Sequence, residues 1–216
     1  MNEPKTLLIF GDSNTHCTMP IQELGERNRY PLNVRWTTLL AHKLGENWRV
    51  IDEGLPGRTT VHDDPIEGAY KNGATVLPAI LETHRPISVI VIMLGTNDLK
   101  FRFRVNAFDI AQSIGKLLQI VRKSGCGPNG EPPKIIVIAP PAIKELGALA
   151  QMFKEGGKLS LDLGKEIKIV AKRENVLFAD LNNHVSVSNI DGVHYDPAAM
   201  EPIANLINDC VRKLGI

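Results

Sequence analysis

Five short aliphatic runs recur along the chain with little polar alternation, at Leu7–Phe10, Trp48–Ile51, Ile87–Leu94, Ile135–Ala139 and Val176–Ala179. A strand with one face in water alternates apolar and polar residues; runs of this kind instead predict strands buried on both faces. Elsewhere the apolar positions change period. Trp36/Leu39/Leu40/Leu44, Ile110/Ile114/Leu117/Leu118/Val121, Leu159/Leu163/Ile167/Val170 and Ile203/Leu206/Ile207/Val211/Leu214 stand mostly three and four residues apart, the spacing of helices that each turn one face to a core. Alternating strands and helices predict right-handed crossovers and an α/β fold, with a five-stranded parallel sheet covered on both faces in a three-layer α/β/α sandwich. No repeat, low-complexity tract or linker interrupts the pattern, so residues 1–216 are expected to form a single domain.

Two connections are long for such a fold: Gly54–Gly73, rich in Gly, Pro and Asp, and Ala139–Gly157, with Pro140-Pro141 and Gly156-Gly157. Connections of that length usually serve a function. Both follow a strand, and open parallel sheets bind ligands beyond the carboxyl ends of their strands, so both segments are expected on the working face. Packed loops or a subunit contact are the plainer alternative.

Composition narrows the function. The chain has 25 Lys and Arg against 24 Asp and Glu, a formal charge of +1, without the basic excess of a nucleic-acid binder, and its 43% hydrophobic content is too high for a disordered chain. No apolar stretch approaches the ~18 residues of a membrane span, and Gly11-Asp12 cuts the first run short of a signal-peptide core. Cys17, Cys126 and Cys210 are scattered and include no Cys-x-x-Cys pair, which predicts free thiols in a reducing cytoplasm rather than a disulfide framework or a zinc knuckle. A cytoplasmic protein with no membrane or nucleic-acid partner is expected.

Four polar clusters stand at the ends of predicted strands: Gly11-Asp12-Ser13-Asn14, Gly54-Leu55-Pro56-Gly57-Arg58, Gly95-Thr96-Asn97-Asp98 and Asp191-Gly192-Val193-His194. The fold would bring all four to one edge of the sheet. A serine hydroxyl is a poor nucleophile unless a general base takes its proton. His194 can be that base for Ser13, since an imidazole both accepts and returns a proton near neutral pH. Asp191, three residues away across a glycine, can fold back onto the other ring nitrogen, completing a triad in outline. Acyl transfer also needs donors for a developing oxyanion. The Ser13 N–H at a helix start, the Gly57 N–H in a loop open to close approach, and the Asn97 side-chain amide are the candidates. Singly, each residue has a plainer reading: Ser13 as a helix N-cap, Asp191 and His194 as a surface turn pair, Asn97 as a turn residue.

Taken in order, these blocks resemble those of the SGNH (GDSL-type) hydrolases, whose four letters fall here on Ser13, Gly57, Asn97 and His194. The likeness spans nearly the whole chain. Trp36, Glu53–Thr60, Asp63-Asp64-Pro65, Asn72-Gly73 and Met93–Asp98 further resemble the bacterial arylesterase and acyltransferase branch. That resemblance implies a flavodoxin-like sandwich and a serine esterase that passes through an acyl-enzyme on small acyl groups such as acetyl, with acyl transfer to alcohols as a further capacity. It also implies no metal or other cofactor, and assembly into homo-oligomers. The branch carries Leu-Thr-Trp-Gly after the serine; here Asn14-Thr15-His16-Cys17 puts a histidine where that branch has an aromatic wall.

Two rival classes stand beside this reading. A metal-dependent hydrolase would draw ligands from His16, His62, Asp63, Asp64, His184 and His194, but no two histidines keep an HxH or HxxxH spacing. A non-catalytic flavodoxin-like binding module would cradle a phosphate in the Gly11–Thr15 turn, which has few glycines and no neighbouring Lys or Arg. Asp12 and Asp98 are expected to be structural hydrogen-bonders. Lys100, Arg102 and Arg104, interleaved with Phe101 and Phe103, are expected in a substrate wall or subunit contact, and Met152 and Phe153 in an acyl pocket or between subunits.

Overall fold

The computed structural model describes residues 3–216. Along the chain lie β1 (Lys5–Gly11), α1 (Ser13–His16), α2 (Trp36–Leu44), β2 (Trp48–Gly54), α3 (Gly73–His84), β3 (Val89–Met93), α4 (Ala107–Lys123), β4 (Lys134–Ala139), α5 (Gly156–Arg173), β5 (Leu177–Asp180) and α6 (Met200–Lys213), with short 3-10 turns between them. The five strands form one all-parallel sheet in the order β2-β1-β3-β4-β5. This is the doubly wound order of flavodoxin-like folds, and it bears out the predicted three-layer α/β/α sandwich.

Alternation along the strands divides the interior into two cores. Leu8, Phe10, Ile90 and Ile92 point to one face, where α3, α4 and α5 bring Leu77, Leu81, Ile110, Ile114, Leu163 and Ile167. Leu7, Ile9, Val91 and Met93 point to the other, where α2 and α6 bring Trp36, Leu40, Ile203 and Ile207.

Burial on both faces holds for β1, β3 and β4 but not for the edges. In β2 Arg49 and Asp52 are exposed, and all of β5 is only half-buried. An aliphatic run records that a strand packs on helices, not whether it has a neighbour on each side. The helix α3 was not anticipated. Pro78 lies inside it, where proline removes a helical hydrogen bond and reads as a breaker, and only Gly73, Leu77 and Leu81 are fully buried. The helix is held at its start by Asn72, whose side chain accepts the N–H groups of Ala74 and Thr75. Among the described residues, no helix is long and apolar enough to cross a membrane.

Register places the site. Gly11 stands opposite Gly54 on one side and Met93 on the other, so β1, β2 and β3 end at the same level. The chain leaves β1 for β2 on one side and later returns to β3 on the other. That reversal opens a crevice beyond the carboxyl ends of β1 and β3.

Candidate active site

Ser13 is the first residue of α1, a helix of one turn that would not persist alone. Three contacts hold it. The Asp12 carboxylate caps it by accepting the Asn14 N–H at 2.9 Å, Trp36 Nε1 donates to the Asn14 carbonyl at 2.9 Å, and Asn14 Nδ2 donates to the Val193 carbonyl at 3.2 Å. The cap is therefore Asp12, and the reading of Ser13 as an N-cap is set aside.

The segment from Asp191 turns through Gly192, at φ +73°, to His194. Asp191 Oδ1 accepts the N–H groups of Val193 and His194, each at 2.9 Å; Oδ2 accepts the Ile21 N–H at 2.7 Å and lies 2.6 Å from His194 Nδ1. Burial opposes ionisation of this carboxyl, but its hydrogen bond and charge interaction with His194 and the amides of Ile21 and His194 outweigh it and hold the group below its ordinary value. With Nδ1–H directed at a carboxylate, Nε2 is left as the accepting nitrogen. It lies 3.0 Å from Ser13 Oγ, across 181 residues of sequence. All three residues are buried, Ser13 at 6%, His194 at 4% and Asp191 at 0% exposure.

Ser13, Gly57, Asn97 and His194 line one cavity of about 800 Å³. Gly57 has φ +81°, a backbone conformation that strains any residue with a side chain, and a Cβ there would also force the Glu67 carboxylate to shift. Among the described residues, no acceptor engages the N–H of Ser13 or of Gly57. Asn97 Nδ2 donates to Asp12 Oδ2 at 3.4 Å. The arrangement brings a hydroxyl, an imidazole and a carboxylate into line beside a cavity that the candidate donors Gly57 and Asn97 also border, a set able to carry out acyl transfer.

The cavity lining is of mixed character. Ile21, Leu149, Met152 and Phe153 are among its apolar lining residues, and Glu67, Tyr70, Lys71, Lys100 and Arg102 among its polar ones. Both long connections thus reach the working face. His16 lines the cavity too, its Nδ1 3.0 Å from Thr18 Oγ1. Burial, then the charges of Arg29 and Arg35, lower its pKa to about 4, so the ring is neutral near pH 7.

Other singled-out residues take supporting places. Asp98 accepts the Thr60 N–H at 3.0 Å and the Thr60 hydroxyl, tying the β3 loop to the 54–73 segment. Asp64 Oδ2 receives Lys100 Nζ at 3.3 Å and Arg102 Nη2 at 2.7 Å, and Glu67 bonds both cations again. Arg104 turns away and lies over the Phe101 ring at 3.5 Å. His62 stacks on Phe103, and among the described residues no group of three or more His, Cys, Asp or Glu side chains is arranged to hold a metal ion. The sequence reading passed over Thr18, Glu67, Tyr70 and Lys71. The length of the Gly54–Gly73 connection was the one signal pointing toward the last three.

Residues 9–201 match the profile of the GDSL-like lipase/acylhydrolase family. No curated protein sequence matches the chain. Among solved structures, the inhibitor-bound aryl esterase of M. smegmatis superposes with a TM-score of 0.92 at 34% identity, over 97% of this chain and 99% of that one. Est24, a carbohydrate acetylesterase from Sinorhizobium meliloti, superposes with a TM-score of 0.91 at 36% identity, over 97% and 99% of the two chains.

Proposed function

The chain belongs to the GDSL-like lipase/acylhydrolase family and is a serine ester hydrolase, and we propose that Ser13 is its nucleophile, His194 its general base and Asp191 the residue that orients the base. The observation that carries this assignment is the continuous line from Asp191 Oδ2 through His194 to Ser13 Oγ, with contacts of 2.6 and 3.0 Å. Ser13 Oγ attacks the ester carbonyl carbon as its proton passes to His194 Nε2, and Asp191 stabilises the imidazolium. The carbonyl electrons move to oxygen, where the N–H groups of Ser13 and Gly57 and the Asn97 amide meet the charge. Collapse expels the alcohol with the proton from His194 and leaves an acyl-Ser13. Water, deprotonated by the same imidazole, then releases the acid.

Acetyl-type groups are the proposed acyl moiety, in line with the carbohydrate acetylesterase at 36% identity. The polar lining residues Glu67, Tyr70, Lys71, Lys100 and Arg102 suit an alcohol rich in hydroxyl groups. Water is the proposed acceptor in preference to a second alcohol, because the neutral imidazole of His16 leaves a polar surface beside the acyl site. Steady-state hydrolysis of p-nitrophenyl acetate, butyrate and octanoate by wild type and Ser13→Ala tests the assignment. We expect the variant to lose at least about 10³-fold in kcat and the wild-type rate to fall with acyl length. A variant that keeps its rate would remove Ser13 from the chemistry.

A further inference from the structure

The geometry points to Lys71 as a positioning residue that holds and polarises the peptide group whose N–H serves as an oxyanion donor at Gly57. This inference rests on the proposed role of Gly57. Lys71 Nζ donates to the Pro56 carbonyl oxygen at 2.7 Å, and that oxygen belongs to the same peptide unit as the Gly57 N–H. In a planar trans peptide the two groups point in opposite directions, so fixing the oxygen fixes where the hydrogen points.

The local turn explains why such a tether is needed. The Arg58 N–H donates to the Leu55 carbonyl at 3.0 Å, closing a four-residue turn with Pro56 second and Gly57 third, and the glycine has φ +81°. That is a type II turn. A type I turn has the same ends and differs mainly by a half rotation of its central peptide. Proline in the second position accepts both types, and glycine in the third resists neither. In the flipped form a carbonyl oxygen would replace the Gly57 N–H in the cavity and repel the oxyanion. A cation on the Pro56 oxygen favours the productive form over the flipped one. It also draws electron density toward that oxygen, which strengthens the N–H as a donor.

The charge around Lys71 supports this role. Lys71 is only 9% exposed, and a sheltered ammonium ordinarily takes a carboxylate partner. Glu67, the nearby acid, is bonded to Lys100 and Arg102. Among the described residues no carboxylate lies within ion-pair distance of Lys71; its contacts are the Pro56 carbonyl and the Tyr70 ring, 4.8 Å from Nζ. The backbone behind it is fixed, since its N–H donates to Gly68 and its carbonyl accepts the Thr59 N–H.

The test compares wild type, Lys71→Met, Lys71→Arg and Ser13→Ala in p-nitrophenyl acetate hydrolysis, in inhibition by phenylboronic acid, and in thermal unfolding. The boronic acid forms a tetrahedral adduct on a serine hydroxyl and so reports on the oxyanion site directly. For Lys71→Met we expect kcat and boronate affinity to fall together by about tenfold, with KM changed by less than about twofold. Lys71→Arg, which keeps a cationic donor, should recover most of both, and the unfolding midpoints should stay close to wild type. Wild-type kcat and boronate affinity in Lys71→Met would overturn the inference, as would a loss that follows a lowered unfolding midpoint and is not recovered by Arg. If Ser13→Ala abolishes hydrolysis and boronate binding while Lys71→Met changes neither, only Lys71 loses its role. If Ser13→Ala stays active, the serine assignment itself fails.

Discussion

Burial lifts the Asp12 carboxyl from its ordinary 3.8 to about 6, against the opposing pull of the Asn14 amide, His194 and Arg58. A carboxyl raised in the folded state stabilises the fold fully below its unfolded value, and that contribution is lost as pH rises through the folded one. Asp12→Asn removes the dependence. The stability of the variant relative to wild type should therefore increase between pH 4 and pH 7, by up to roughly 3 kcal/mol at ~1.4 kcal/mol per unit. Urea unfolding at several pH values checks this, and a difference that does not vary with pH would refute it. The same substitution places an amide opposite Asn97 Nδ2, which now donates to Asp12 Oδ2. Two facing donors press the Asn97 amide to rotate, so the variant should also show a lower kcat. At this scale the sequence was most readable for groups whose chemistry is intrinsic, the serine, the imidazole and the carboxylate. It was least readable for Lys71, whose importance comes from the carbonyl it meets 15 residues away.

Between elements, the contacts that seat α1 are the sensitive ones. Gly54 ends β2 directly against α1, and an added Cβ would run into His16 N and lie 2.7 Å from Thr15 C, both rigid backbone. Gly54→Ala should cost about 1–3 kcal/mol, lower the unfolding midpoint by several degrees and reduce kcat by displacing Ser13. Calorimetry beside an esterase assay would expose the idea as wrong if both values stayed at wild type. A second joint is Asp64, which secures Lys100 and Arg102. Burial works against its ionisation, but the amides of Glu67 and Ile66 and the cations prevail and set its pKa at about 2. Its contribution is present above about 3.8 and lost as pH falls through about 2. Asp64→Asn strands two sheltered cations on Glu67 alone and should destabilise the fold near pH 7 by about 3–5 kcal/mol, read as a lower denaturation midpoint. The helix α3 was illegible at this scale because Pro78 breaks its pattern, whereas Asn72 capping and the packing of Leu77 and Leu81 decide it.

For the whole molecule, two aliphatic side chains of the cavity lining stand largely in solvent, with Leu24 at 69% and Ile66 at 75% exposure. We propose that these side chains pack between copies in a homo-oligomer, so sedimentation should show a multimer that Ile66→Glu weakens; a monomer at every concentration would contradict it. The sequence by itself determined the layer architecture, because strand and helix periods follow from which residues each backbone form can bury. It also marked the four polar blocks, because they interrupt those periods at strand ends. Tertiary structure alone decided that β2 and β5 are edges and that Ser13 and His194 meet across 181 residues. It also decided that the Lys71 ammonium falls on the Pro56 carbonyl. Periodicity is a property of neighbours along the chain, while a proton path and a held peptide depend on distances that exist only once strands have taken their order and register.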